Sequence, residues 1–192
     1  MKMFIALMLI LGFIVPCACH ADCDKGSDKG ILFETYNVFV TKQPHDINDI
    51  NNVLAAGADY NCAEVEEANG LNRQNIFGKP DKDAAYVVSF TFNAEKSGHW
   101  EFALSYDADI ASALIIDDKT VMFSDLNILA SYDKPILTAV ELKKGLHAFK
   151  FLGLDNCCGS PIRFSIKGPN ETDFKVISTT NLAIGYTTAG MP

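Results

Sequence analysis

The residues of this chain with the clearest chemical potential are its acids. Residues 105–112 read SYDADIAS, which places Asp107 and Asp109 two apart, and Asp117 and Asp118 follow as an adjacent pair. Oxygen donors on loops are what Ca²⁺ prefers. Aspartate is also common in turns, because its side chain bonds its own backbone, so both readings attach to these loops. A third polar turn, Asp155-Asn156-Cys157-Cys158-Gly159, follows the stretch GLHAFKFLG. Further acids cluster at Glu64, Glu66 and Glu67. Two carboxylates can cleave a glycosidic bond only when they face each other across a substrate, and sequence spacing does not place them so. His45, His99 and His147 are too far apart for a helical zinc motif. His147, two residues after Gly145, reads as a strand-end contact. No G-x-S-x-G and no phosphate-cradling glycine loop occurs. Asn170-Glu171-Thr172 matches a glycosylation sequon, a pattern frequent by chance. The expectation is a protein that is not an enzyme.

The cysteines speak to compartment. Met1 to Ala21 read MKMFIALMLILGFIVPCACHA, with Lys2 ahead of an apolar run from Met3 to Val15 and small residues after Pro16. That is the pattern of a secretory signal, too short for a stable bilayer anchor. Cleavage after Ala21 is expected in preference to retention as an anchor. A lipoprotein reading through Cys17 or Cys19 is weaker, because Pro16 directly precedes Cys17 and no Leu stands three before Cys19. Cleavage removes Lys2 and no acid, together with Cys17 and Cys19. Cys23, Cys62, Cys157 and Cys158 remain, and an even set in an exported protein points to disulfides. Three connectivities exist. Cys157 and Cys158 either pair with each other or take one each of Cys23 and Cys62. The long-range pairing is favoured, because bridging adjacent residues distorts the peptide between them.

The full chain of 192 residues carries Lys+Arg 16 against Asp+Glu 24, a formal net charge of -8. Without a basic cluster this balance excludes nucleic acid and anionic membrane as partners. Its hydrophobic content of 48% is enough to bury a core. No later apolar run is long enough to span a bilayer, so no transmembrane span is expected after signal cleavage. The expected location is secreted, extracellular or periplasmic.

The elements that must position these loops are mostly short strands. Residues 31–40 (ILFETYNVFV) read as a strand, and residues 46–56 place Ile47, Ile50, Val53 and Leu54 at helical spacing. Asp46 suits an N-cap and Gly57 a stop. Residues 59–80 read as a long irregular surface excursion holding Cys62. From residue 84 onward the pattern is strands with turns between them: 86–93, 99–106, 113–117, 136–142, 146–153, 162–167 and 174–177. Within 86–93, Val88, Phe90 and Phe92 alternate with Ser89 and Thr91. About eight strands predict an all-β, antiparallel, jelly-roll-like sandwich with one short helix and disulfides. The domain is expected over residues 22–178, after the 1–21 signal and before a weakly patterned tail, 179–192.

Residues 97–121 (SGHWEFALSYDADIASALIIDDKTV) resemble the signature of the protective-antigen-type β-sandwich domains. KKGLHAFKFLGLD resembles the next hallmark strand, and DNCCGSP resembles a group of exported bacterial proteins with a vicinal Cys-Cys and nearby glycine. The likeness covers roughly residues 97–178. It implies a sandwich used for carbohydrate recognition or adhesion at cell surfaces. In the yeast-adhesin branch, consecutive Asp residues and a loop Asn hold the Ca²⁺ that binds sugar hydroxyls. Here Ala108 interrupts the pair Asp107 and Asp109, and Gly159 directly follows Cys158. Some members of the bacterial group end in a sorting helix, and this chain ends Met191-Pro192, so release or retention by partners is expected.

The expected function is a secreted or cell-surface binding module for a glycan or surface protein, with Ca²⁺ as its one candidate cofactor, held by Asp107 and Asp109. Tyr106, Asp107, Asp109 and Asn156 are the expected ligand-binding residues, since acids beside an aromatic such as Tyr106 or Tyr132 suit a sugar. The alternative is a non-catalytic structural or assembly subunit of an exported bacterial complex, using a sheet edge or residues 59–80.

Overall fold

The computed structural model describes residues 30–80, 82–125, 128–130, 134–156, 161–181 and 184–185. In chain order the elements are β1 (Ile31–Asn37), α1 (Ile47–Ala55), β2 (Ala58–Val65), β3 (Asn69–Leu71), α2 (Arg73–Phe77), β4 (Ala84–Ala94) and β5 (Gly98–Ala108). There follow β6 (Ala111–Ile116), β7 (Lys119–Ser124), β8 (Ile128–Ala130), β9 (Ile136–Leu142), β10 (Gly145–Asp155), β11 (Ile162–Lys167), β12 (Lys175–Val176) and β13 (Ile184–Gly185). One sheet runs β2-β1-β4-β10-β6-β7, with β13 also on β4. The other runs β12-β11-β5-β8, with β3 on β11 and β9 on β5. All pairings are antiparallel.

Aromatic residues fill the space between the sheets. From one side come Phe33, Tyr86, Val88, Phe90, Phe92, Phe149 and Phe151; Trp100, Phe102, Leu104, Tyr106, Phe164 and Ile166 face them. Phe90 stacks on Phe149 at 4.5 Å between centroids, and Phe151 meets Phe164 edge-on at 4.7 Å. The alternation of β4 predicted this inner face. Its other face is buried as well, because Ala85 and Val87 lie in a second cluster with Ile50, Ala111, Ala113, Leu152 and Leu154. The helix α1 is the cover. Its apolar stripe puts Ile50 fully under the sheet, flanked by Ile47, Val53 and Leu54. Burying one such side chain contributes about 1.5–3 kcal/mol. Asp46 accepts from the Asp49 amide at 2.9 Å and starts the helix where the sequence places it.

Three expectations are corrected. A second helix exists: α2 is a single turn capped by Asn72, which accepts from the Asn75 amide at 2.7 Å, and by left-handed Gly78. Five residues are too few to show helical periodicity. The segment 59–80 is not irregular, since it forms most of β2, all of β3 and α2. The strand β2 is polar because it is a sheet edge bonded only to β1. The first strand stops at Asn37, not Val40. Thirteen strands stand among the described residues, the additions being mostly edges and strands of two or three residues. Asp117 and Asp118 both hold positive φ (48° and 61°) and form the tight two-residue turn between β6 and β7. The signal segment lies outside the described residues.

Candidate functional site

Strand register gathers several chain segments at one end of the sandwich. Asn37 is opposite Ala84, Ala84 opposite Asp155, and Leu154 opposite Ala111. The turn from β5 to β6, which holds Asp109 and Ile110, therefore lies beside the end of β10. Backbone bonds stitch these ends together: Val38 N to Asp83 O at 2.8 Å, and Ile110 N to Leu154 O at 3.1 Å. The Asn156 amide donates to Asp109 Oδ1 at 2.9 Å.

A cleft of about 250 Å³ opens here, lined by Val38 to Gln43 on one side and by Asp83, Ile110, Asp155 and Asn156 on the other. Its walls follow from local alternation. Val38 and Val40 turn inward to the cluster under α1, which sends the intervening Phe39 out to solvent at 85% exposure. Asp155, the last residue of β10, is fully buried behind the cleft wall. The combination presented to solvent is one aromatic face, the Asp83 carboxylate, an amide side chain and Lys42. Such a surface can place an apolar ring face against Phe39 while hydroxyl groups donate to the Asp83 carboxylate and accept from Asn156.

The residues expected from sequence fall unevenly around it. Asn156 is exposed on the cleft, and Asp109 stands beside it as the acceptor of its amide. The backbone of Asp107 pairs with Leu129 in β8, and its side chain lies outside what is described. Tyr106 is corrected: it is a core residue, 1% exposed, packed at 4.8 Å on Phe151. Its hydroxyl is 2.7 Å from Ser112 Oγ. Burial holds its phenol above the ordinary value, against a smaller opposing pull from Ser112. No face of Tyr106 is left for a ligand. Tyr132, Cys23, Cys157 and Cys158 lie outside the described residues, while Cys62 is nearly buried and disulfide-bonded. Among the described residues, no three His, Cys, Asp or Glu side chains converge where a metal would sit.

Phe39 was not foreseen as a site residue. Read as part of a strand through Val40, it was one apolar residue among several. The available signal was the Val38-Phe39-Val40 alternation, which exposes the middle residue if its neighbours are buried. A second recess, about 170 Å³, lies at the opposite end around Trp100. There the polar groups satisfy each other. Glu171 takes Lys175 Nζ at 2.5 Å and Gly168 N at 3.0 Å, while the Trp100 indole donates to Lys96 O at 3.2 Å.

No protein-family model and no curated protein matches this sequence. Solved structures match its fold. A PA14 sugar-binding domain from an RTX adhesin superposes with TM-score 0.58 at 14% identity, covering 80% of this chain and 97% of that one. The fold is similar to that of PA14 domains. The PA14 domain of the antifreeze protein MpAFP gives TM-score 0.61 at 14% identity, covering 85% of this chain and 93% of its own. The Epithelial Adhesin 9 A domain from Candida glabrata, in complex with Galb1-3GlcNAc, gives 0.61 at 9% identity, covering 90% and 96%. At such identities the likeness to PA14 domains is one of fold, and the side chains of the cleft are this chain's own.

Proposed function

We propose that this chain is an exported, non-catalytic glycan-recognition module of adhesin type, binding in the cleft between residues 38–43 and Asp155-Asn156. The observation that carries the proposal is the Phe39 ring, presented to solvent beside buried Asp155 and exposed Asn156 at one end of a PA14-type sandwich. A sugar ring has one face of C–H groups and a periphery of hydroxyls, which this arrangement complements. Sugar-binding and adhesin domains among its fold neighbours support the class. Ca²⁺ assistance is the finer part of the proposal, assigned to Asp107 and to Asp109, whose Oδ2 has no hydrogen bond among the described residues.

The exposed large apolar residues Phe39, Leu137, Leu146 and Phe174 sit on four different segments. Scattered apolar residues of that kind are ordinary on monomers, which favours glycan binding over the assembly-subunit alternative. No helix among the described residues is long and apolar enough to cross a membrane.

A glycan array followed by titration calorimetry tests the reading. Phe39→Ala is expected to weaken binding about tenfold, equivalent to about 1.4 kcal/mol, with an unchanged melting temperature because the ring supports no core. Silence across microbial, plant and animal glycans overturns it in favour of assembly. Chelation by EDTA is expected to weaken binding; undiminished affinity removes Ca²⁺ and leaves the cleft.

A further inference from the structure

The wall of the cleft that carries Phe39 has almost no backbone support. After the Val38 amide, which donates to Asp83 O, no backbone N–H or C=O of residues 39–43 makes a hydrogen bond among the described residues. Inward packing of Val38 and Val40 holds the start of the segment. Its far end is held by the packing of buried Pro44 ahead of α1 and by polar contacts of one exposed side chain. Gln43 Nε2 donates to Ile110 O, in the turn between β5 and β6, and to Asp125 O at 2.7 Å, just past β7. A primary amide nitrogen carries two protons, and here each has its own carbonyl.

Both acceptors belong to the opposite side of the cleft or to the strand next to it, while Gln43 belongs to the Phe39 wall. We propose that Gln43 is a positioning residue for ligand recognition, a two-donor clamp that sets the distance between Phe39 and the Ile110–Asn156 wall. This rests on the glycan reading of the cleft. Loosening the wall would not uncover a core residue, but it would make the ligand bear the entropy of ordering Phe39.

The chemistry makes the role specific to glutamine. Glutamate has the same shape, but its carboxylate is acceptor-only and would face two carbonyl oxygens. Methionine has similar length and no donor. Asparagine keeps the amide one methylene short.

Two measurements separate the clamp from the glycan reading. The first needs no ligand: backbone ¹⁵N relaxation across residues 39–42. Order parameters near the rigid value of about 0.85 are expected in the wild type and below about 0.6 in Gln43→Met and Gln43→Glu, with a melting temperature within a few degrees. Lowering the pH toward 4 is expected to restore part of the order in Gln43→Glu alone, because a protonated carboxyl regains one donor. Unchanged order parameters in both variants overturn the clamp. The second repeats the same glycan array and titrations, where both variants are expected to bind about tenfold more weakly. Equal binding by wild type and variants overturns the positioning role. A silent wild type overturns the glycan reading instead, and the relaxation data still decide the clamp.

Discussion

His147 shows how much a single side chain can determine. Its Nδ1 lies 2.5 Å from Asp117 Oδ2 and its Nε2 lies 2.7 Å from Lys143 O. A carboxylate and a carbonyl only accept, so the imidazolium, which donates from both nitrogens, is the form that satisfies both partners. Burial alone would push its pKa down. The hydrogen bonds to Asp117 and to the Lys143 carbonyl, with the charge of Asp117, outweigh burial and raise it above 6.5. A raised folded-state value means stabilisation fully present below the unfolded pKa and lost as pH rises through the folded one. Urea melts are therefore expected to show stability falling as pH rises past about 6.5, and His147→Gln is expected to flatten that slope. The contribution is about 1 kcal/mol, because Asp117 is half-exposed and water screens it. A slope unchanged in the variant would sink the assignment. The sequence shows a histidine near a strand end; the turn of two left-handed aspartates that meets it comes from thirty residues earlier.

Among the elements, α2 has the least intrinsic stability and the most concentrated anchoring. A single helical turn cannot hold itself, because nucleation costs more than one turn returns. Its first residue, Arg73, is 2% exposed and reaches across the end of the sheet. One guanidinium nitrogen donates to Asn37 Oδ1 at 2.5 Å, and the other meets Asp59 Oδ2 at 3.3 Å. Lys79 Nζ adds a bond to Asp59 Oδ1 at 2.8 Å. These contacts tie α2 to the end of β1 and the start of β2, directly before the Phe39 segment. Arg73→Met is expected to cost about 2 kcal/mol, below the roughly 3–5 kcal/mol for breaking a fully buried pair, because half-exposed Asp59 can rehydrate. The Lys79 hydrogen bond, helped by the Lys79 and Arg73 charges, holds the Asp59 carboxyl below its ordinary value despite some burial. That contribution is present above the unfolded pKa near 3.8 and is lost as pH falls through the folded value. Circular dichroism at pH 7 and pH 3 checks both, the deficit of the variant being smaller at the acid end. None of this was legible from residues 59–80, since polar edge strands and one-turn helices carry neither a period of 2 nor one of 3.6. The long strands were legible: residues 136–142 and 162–167 were read as β9 and β11 to the residue, and β4, β5 and β10 differ by one or two at each end.

At the scale of the molecule, the larger sheet is buried on both faces, one against the second sheet and one under α1 and the Val38–Val40 segment. Truncating either layer should therefore destabilise the whole. Phe151→Ala is expected to cost about 3–5 kcal/mol and Ile50→Ala about 2–5 kcal/mol, both read as urea midpoints with unchanged slopes. A loss at Ile50 below 1 kcal/mol would make α1 a peripheral ornament. By itself the sequence determined the strand-rich fold class and the helix α1 with its Asp46 cap. These are local matters, set by periods of 2 and 3.6, turn chemistry and composition. Only the tertiary structure decided that Tyr106 is core, that Phe39 is rim, that Asp109 meets Asn156, and that Gln43 spans the cleft. Those facts depend on register between strands tens of residues apart, and which face of a strand meets solvent is settled by what packs against it, not by the residues on either side.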